Sequence, residues 1–377
     1  MVVHRLQHVD ILRNIASACR NLHTLTILSC PHLLSDTLIA VAGEAKNLKQ
    51  ITIHTDTNWH TVTQILRRRP NLVHIEVRSI PSAALAIPLQ WEGGPFDSLQ
   101  SVSFRGHISD VAEVLRLVQR APELRSLMLE HTGRISHTND VLDLRDKRLM
   151  KLVLNKVAVS VFPYLPKTLT CLVFSPSATM DRLWHRTLIA AEASRTESLI
   201  DLTLGGDVPL YPGFLKSILD VYTDHDGTSK LLQDAQPLQH LSLRAESFNT
   251  DNPDGTPSAL SSVPPRQVVS AYLASSPRIL TRALTSLEVS GLPLTDDDIA
   301  TITESTSLVR IDISRTKITG FGIKKLVDRA PTLRYINADH CIGLSSRDAI
   351  EYAEKKGVHV SCTMGEQSGK GRKVRYG

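Results

Sequence analysis

The sequence predicts an α/β solenoid, in which short strands stack into a parallel sheet and helices or irregular segments connect them. One phrase, L-x-x-L-x-L or a close variant, occurs twelve times. Seven of the eleven intervals between successive copies are 24 to 27 residues long. The copies begin at Leu22, Leu48, Leu72, Leu99, Leu124, Leu149, Leu169, Leu199, Leu238, Leu284, Leu308 and Leu333. A repeat of this length favours one extended array over several globular domains.

Each phrase has the alternation of a half-buried strand. In the first copy, the apolar residues Leu25 and Ile27 alternate with Thr24, Thr26 and Leu28. One set of side chains then faces the core and the other faces outward. A leucine phrase with this period is typical of a leucine-rich repeat. We therefore expect a horseshoe of about twelve repeats, with the parallel sheet on the concave side and helices or irregular segments on the convex side.

Between the strands, the sequence predicts helices. The segment Leu34–Asp36 precedes an apolar stripe, and Ser or Asp at such a point is a favourable helix N-terminus. Prolines follow several of these stripes just before the next leucine phrase, at Pro70, Pro122 and Pro331. A proline disfavours helical backbone at the residue before it, so these positions end the helices.

Two long intervals and a basic end depart from the repeat. We expect residues 1–364 to form one leucine-rich-repeat domain, with insertions near 205–237 and 244–283. Pro, Ser, Asn and Asp dominate residues 246–265, which predicts a mobile loop. Residues 365–377 are predicted to form a flexible basic tail, whose basic residues are Lys370, Arg372, Lys373 and Arg375.

Composition and motifs favour a binding protein over an enzyme. Most of the formal charge of +5 lies in the tail, so the nearly neutral body gives little support to general nucleic-acid binding. Five cysteines without a C-x-x-C spacing argue against a disulfide scaffold and against cysteine-ligated zinc. His4 and His8 have helical spacing but lack the glutamate of a metalloprotease motif. No P-loop or hydrolase motif occurs, and we predict no catalytic residue, no cofactor and no metal site.

The sequence also bears on the cellular compartment. It contains neither a signal peptide nor an apolar run long enough for a membrane helix. We expect an intracellular, monomeric protein in a reducing compartment, without a membrane partner. Cys19, Cys30 and Cys341 fall at repeat positions where we expect small, buried structural thiols.

Two segments point to a particular class of repeat. Cys19–Cys30 has the pattern C-x-x-L-x-x-L-x-I-x-x-C, and Leu333–Cys341 has the similar pattern L-x-x-I-x-A-x-x-C. Both resemble the cysteine-containing leucine-rich repeats of F-box proteins, and the Leu-Ser-Asp helix opening matches that class. The resemblance covers residues 10–362 approximately. The Pro/Ser/Thr-rich insertions and the basic end are similar to fungal F-box/TPR/leucine-rich-repeat proteins.

This resemblance implies the substrate-recognition region of an SCF-type E3 ubiquitin ligase, in the nucleus, acting on a target that the sequence does not name. An F-box precedes the repeats in such proteins, whereas here a helix of an incomplete repeat is expected from Leu6. This indicates either that the chain is a fragment or that a partner covers this end of the solenoid. Contact with the ligase core is assigned to no residue of the sequence. Two alternatives stay open. One is a free-standing scaffold or inhibitor, and the other is chromatin or nucleic-acid docking through the basic tail.

Outward strand positions form the candidate binding site. Arg78 and Arg105 are expected side by side, and acidic residues line the C-terminal end. Arginine and tyrosine are frequent anchors of protein interfaces. The candidate protein-binding residues on the concave face are His54, His74, Arg78, Arg105, Met128, Glu130, Lys151, Arg244, Glu288, Arg310, Asp312, Tyr335 and Asp339.

Overall fold

The computed structural model describes residues 1–4, 9–19, 21–28, 30, 35–80, 95–106, 111–131, 143–156, 163–175, 198–205, 238–243, 283–292, 294–303, 307–341, 343–344 and 347–363. Its chain divides into two compact units. The N-terminal unit comprises Met1–Cys171 and Pro176–Asp181, and the C-terminal unit comprises Leu172–Ser175 and Arg182–Gly377. The predicted loop at 246–265, the basic tail from 365 and nearly all of the two predicted insertions lie outside the described residues.

Short parallel strands form the sheet of the N-terminal unit. They are β1 (Val2–His4), β2 (Thr24–Leu28), β3 (Gln50–Asp56), β4 (His74–Ser79), β5 (Ser101–Gly106), β6 (Ser126–His131) and β7 (Lys151–Asn155). Each is hydrogen-bonded to the next in sequence order. Alternate residues are buried, as in β2, where Leu25 and Ile27 are fully buried.

Helices lie between several of these strands. They are α1 (Val9–Ala18), α2 (Ser35–Glu44), α3 (Trp59–Arg68) and α4 (Val111–Arg120). The Asn58 side chain begins α3 by accepting a hydrogen bond from the Thr61 backbone N–H at 2.8 Å. Arg69, at the end of α3, connects this helix to α2, because its guanidinium donates to the carbonyls of Ala42 and Gly43 at the end of α2.

The C-terminal unit repeats the arrangement with shorter strands. Its first strand is β8 (Cys171–Ser175), of which Cys171 belongs to the N-terminal unit. The other strands are β9 (Asp201–Leu204), β10 (His240–Leu243), β11 (Ser286–Glu288), β12 (Arg310–Asp312), β13 (Tyr335–Asn337) and β14 (His359–Ser361). From β9 to β14, neighbours pair in parallel and in sequence order. Its described helices are α5 (Asp296–Thr303), α6 (Gly320–Arg329) and α7 (Asp348–Lys355).

The leucine phrase specifies the core. All twelve phrase-initial leucines are buried, with at most 8% of any of them exposed. Every phrase also contains one of the strands β2 to β13, which confirms the twelve predicted strands. Two strands were not predicted. β1 precedes α1, and β14 follows the last leucine phrase. The helix expected from Leu6 is present as α1, which begins at Val9.

The cysteines differ from one another. Cys341 is buried, and its Sγ donates to the Ile313 carbonyl of the preceding repeat at 3.1 Å. Cys30 is also buried and donates to the Leu28 carbonyl at 3.3 Å. Cys19 is exposed, so its assignment as a buried thiol is wrong. It follows the last turn of α1, where the helix end lies at the surface.

A carboxylate connects two helices of the C-terminal unit. Asp296, at the start of α5, accepts hydrogen bonds from the backbone N–H of Thr319 at 2.8 Å and from its hydroxyl at 2.5 Å. Thr319 in turn begins α6, since its Oγ1 accepts from the Phe321 N–H at 3.1 Å. A Cβ at Gly322 would overlap Asp296 Oδ1 and lie 2.8 Å from Ile318 Cγ2. Glycine at this position therefore permits the close approach.

Candidate protein-binding face

One face of each sheet carries the outward side chains, and we call it the open face. Strand alternation places on it the predicted site residues that lie in described strands, and Asp339 follows in the turn after β13. In the N-terminal unit these residues form the N-terminal array, which consists of His54, His74, Arg78, Arg105, Met128, Glu130 and Lys151. In the C-terminal unit they form the C-terminal array, which consists of Glu288, Arg310, Asp312, Tyr335 and Asp339. Arg244 and the four basic tail residues lie outside the described residues.

Strand register arranges the N-terminal array in rows. His74, Ser101, Ser126 and Lys151 occupy equivalent positions of β4 to β7. Met128 lies in the next row, beside Ser103 and Val153. Directly opposed side chains of neighbouring strands are close enough to contact one another. A partner would therefore meet rows of mixed polar and apolar groups.

The two arginines of this array are paired with glutamates. Val77 and Phe104 are register partners in β4 and β5, and Arg78 and Arg105 are the residues that follow them. Arg78 Nε lies 2.6 Å from Glu76 Oε1, and Arg105 Nε lies 3.6 Å from Glu130 Oε2. Each arginine side chain is still 53% exposed. The glutamates offset the repulsion between the two cations while leaving them accessible.

His54 has an unusual environment on this face. Its Nε2 is buried, and the described residues provide no hydrogen-bond partner for it. Burial lowers the pKa of His54, the positive charge of Arg78 lowers it further, and Glu76 opposes both. An imidazole with a lowered pKa is neutral at pH 7, so His54 contributes a neutral polar group to the array.

The carboxylates of the C-terminal array accept hydrogen bonds from neutral donors. Asp312 accepts from the Asn337 amide at 2.9 Å and from the Ser314 backbone N–H at 2.8 Å. Asp339 accepts from the Thr363 hydroxyl at 2.9 Å. Neutral donors orient a carboxylate without cancelling its charge. The carboxylates of Asp312 and Asp339 therefore add fixed negative charge to the open face.

Three planar side chains stack across the last strands of the unit. The Arg310 guanidinium carbon lies 5.0 Å from the centroid of the Tyr335 ring. The Tyr335 and His359 rings are 5.5 Å apart with an interplanar angle of 29°. The register places these residues at equivalent positions of β12, β13 and β14, where the strand spacing of about 4.8 Å suits stacking. The stack gives the C-terminal array a rigid, partly aromatic surface.

Some members of this face were missed by sequence reasoning. His359 was missed because β14 lacks the leucine phrase. A signal was present, since Val358 lies 25 residues after Leu333 and begins the alternation Val358-His359-Val360. Thr363 contacts Asp339 and was missed for the same reason.

The described residues do not suggest a metal site or a membrane span. Among them, no group of three or more His, Cys, Asp and Glu side chains could hold a metal ion. The side chains of His4 and His8 are outside this description. None of the helices in the described part of the chain is both long and apolar enough to cross a membrane.

The stacked parallel strands, the buried phrase leucines and the interleaved helices define the protein as an α/β leucine-rich-repeat solenoid. Neither a protein-family model nor a curated protein sequence matches the chain.

Solved structures with some similarity include a chain of the Rad7–Elc1 complex of yeast, at 14% identity and a TM-score of 0.49, over 96% of this chain and 78% of that one. A chain of the TLR13–ssRNA13 complex has 17% identity and a TM-score of 0.45, over 95% of this chain and 44% of that one. The internalin InlF of Listeria monocytogenes has 10% identity and a TM-score of 0.32, over 86% of this chain and 83% of that one.

Proposed function

We propose that this protein is a non-catalytic protein-interaction module whose partner binds the open face. The observation that carries the proposal is the stack of Arg310, Tyr335 and His359, which presents cationic and aromatic surface beside the carboxylates of Asp312 and Asp339. Arginine and tyrosine are enriched among residues that dominate binding energy. Because the stack holds its members in place, little side-chain entropy is lost when a partner binds.

The charge pattern indicates the chemistry of the partner. The N-terminal array presents Arg78 and Arg105 with their paired glutamates, whereas the C-terminal array presents carboxylates that neutral groups orient. An acidic segment would complement the arginines of the N-terminal array, and a basic segment would complement the carboxylates of the C-terminal array. A uniformly charged polymer such as nucleic acid would meet repulsion at Asp312 and Asp339.

We further propose that the partner is a substrate of an SCF-type ubiquitin ligase and that the protein acts in the nucleus. The support is the resemblance of Cys19–Cys30 and Leu333–Cys341 to the repeats of F-box proteins. The ligase core would be contacted through an F-box, and we assign no residue of this sequence to that contact. A free-standing scaffold or inhibitor would use the same open face without ubiquitylation.

Site-specific photo-cross-linking tests the proposed face. A photoreactive amino acid would replace Met128 on β6 or Ser286, the register partner of Arg310 on β11, and, as a matched control, the exposed Arg67 of α3. We expect each open-face site to cross-link a protein in extracts and the Arg67 site not to. Equal cross-linking from Arg67, or none from either open-face site, would contradict the proposal.

A second measurement separates a ligase from a scaffold. Once the cross-linked protein is identified, its half-life and ubiquitylation are followed with and without this protein. The ligase proposal expects a longer half-life and less ubiquitylation when the protein is depleted. Unchanged turnover with intact binding would favour the scaffold.

A further inference from the structure

The helix side of the C-terminal unit carries a second candidate surface, separate from the open face. It consists of Phe321, Lys324 and Lys325 on α6, with Tyr352 and Lys356 on α7 and at its end, and we call it the lysine–aromatic patch. We propose that this patch binds an acidic segment of a partner protein. The proposal does not rest on the function proposed for the open face, because the two surfaces share no residue.

Phe321 is the clearest sign of this surface. It lies in the first turn of α6 and is 61% exposed. The core side of the same helix is formed by Gly322, Ile323, Leu326 and Val327, all of them buried. The fold therefore gains little from a phenylalanine at this position, whereas a partner that covered the ring would remove apolar surface from water.

Lysine ammonium groups surround the two rings of the patch. Lys325 Nζ lies 4.6 Å from the Phe321 ring centroid, and Lys324 and Lys356 each place Nζ 5.8 Å from the Tyr352 ring centroid. Lys325 also pairs with Asp297 at 3.5 Å. In the described part of the chain, neither Lys324 nor Lys356 has a carboxylate within ion-pair distance. Both ammonium groups retain hydrogen-bond donors for a partner.

The patch is held together before any partner binds. The Tyr352 hydroxyl donates to Asp328 Oδ1 at 2.5 Å, which fixes its ring against α6. Phe321 and Lys325, Lys324 and Asp328, and Tyr352 and Lys356 are each four residues apart, a spacing that puts side chains on one side of a helix. Burial by a partner then costs less side-chain entropy than it would for freely rotating lysines.

Charge selects an acidic partner, and the exposed ring favours one that also carries apolar side chains. Asp297 pairs with Lys325, while Asp328 accepts a hydrogen bond from the neutral Tyr352 hydroxyl and keeps its charge. The three lysines of the patch therefore exceed these two aspartates by one positive charge. Carboxylates of a partner can pair with Lys324 and Lys356, while an apolar side chain covers Phe321.

The test measures binding of a fluorescein-labelled peptide of Glu and Leu residues to the full chain by fluorescence anisotropy. We expect the Lys324→Glu/Lys356→Glu double variant to bind about tenfold more weakly, and Phe321→Ser several-fold more weakly. Lys355→Glu is the matched control, because this exposed lysine of α7 faces neither ring. It should bind within about twofold of the wild type. Circular dichroism verifies that each variant is folded.

Further variants of the chain and of the peptide distinguish binding at the patch from binding at the basic tail or the open face. A chain with Lys370, Arg372, Lys373 and Arg375 replaced by Gln should still bind the peptide, and so should Arg310→Ala on the open face. A peptide with Gln in place of Glu should not bind. Undiminished binding by the double variant, an equal loss with Lys355→Glu, a loss confined to the tail variant, or a preference for a DNA duplex or phosphatidylserine vesicles would each overturn the proposal.

Discussion

The two units build the same repeat with different polar chemistry. In the N-terminal unit, Arg78 and Arg105 pair with glutamates on the open face and Arg69 donates to helix carbonyls. In the C-terminal unit, Asp296 and Asp312 accept hydrogen bonds from neutral groups of the following repeat. The leucine core is common to both, so the polar groups can vary without changing the fold.

This difference has an energetic consequence. Exposed ion pairs contribute about 0–1 kcal/mol and weaken in salt. A partly buried carboxylate that accepts two hydrogen bonds contributes more, because each bond adds about 0.5–1.5 kcal/mol net. We therefore expect substitutions of bridging carboxylates in the C-terminal unit to cost more stability than substitutions of exposed arginines in the N-terminal unit.

The largest effect on stability is expected at Gly322, where α6 lies against Asp296 of α5. Gly322→Ala should destabilise the protein by about 3 kcal/mol, because the added methyl group overlaps Asp296 and displaces its hydrogen bonds. Urea unfolding followed by circular dichroism measures the change. Gly43→Ala in α2 is the matched control, since its Cβ would meet only the end of the Arg68 side chain, and it should stay within about 1 kcal/mol. A larger loss at Gly43 would show that the N-terminal layer is the tighter one.

Neighbouring aspartates provide the next comparison. Asp296→Ala should cost about 2 kcal/mol, because the Thr319 N–H and hydroxyl lose their acceptor at the start of α6. Asp297→Ala should change the free energy of unfolding by less than about 0.5 kcal/mol, since Asp297 is 94% exposed and makes only a long ion pair. Equal effects of the two substitutions would contradict the bridging role of Asp296.

A smaller contrast concerns the open faces. Asp312→Ala should cost about 1 kcal/mol, because it leaves the Asn337 amide and the Ser314 N–H without their acceptor. Arg78→Ala removes an exposed ion pair and should cost about 0.5 kcal/mol or less. Raising the salt concentration should reduce the Arg78 effect and leave the Asp312 effect nearly unchanged. A salt-insensitive Arg78 effect would show that packing, rather than charge, accounts for it.

The smallest effect is a pH dependence confined to the N-terminal array. Since burial and Arg78 lower the pKa of His54, the folded state binds its proton less readily than the unfolded state. The stability that neutral His54 contributes is present above the unfolded pKa of about 6.5 and is lost as the pH falls below it. His54→Gln should flatten the decline in urea midpoint between pH 7.5 and pH 5. An unchanged slope would show that other groups cause the decline.

The sequence predicted the strands better than the contacts between their side chains. Twelve strands were found because each leucine phrase combines a buried leucine with strict alternation, and burial tolerates few substitutes. β1 and β14 were missed because neither carries the leucine phrase: Val3 and Val360 are register partners of Ile27 and Ile336, and Gly357 lies at the position equivalent to Leu333. The open-face residues followed from alternation alone. Their partners did not, because Arg78 could have turned toward Glu76 or toward a neighbouring strand, and side-chain rotamers decide the choice.

The proposed binding of a partner protein through the C-terminal stack is tested most directly by the affinity of the cross-linked partner, measured by calorimetry, for the Tyr335→Ala and Arg310→Ala variants. We expect each to bind at least about tenfold more weakly than the wild type, since each removes one partner of the contact between the guanidinium and the ring and so abolishes that contact. Arg347→Ala on the helix side should bind within about twofold, because Arg347 is also exposed but lies off this face. Wild-type affinity in both stack variants, or an equal loss in Arg347→Ala, would contradict the claim.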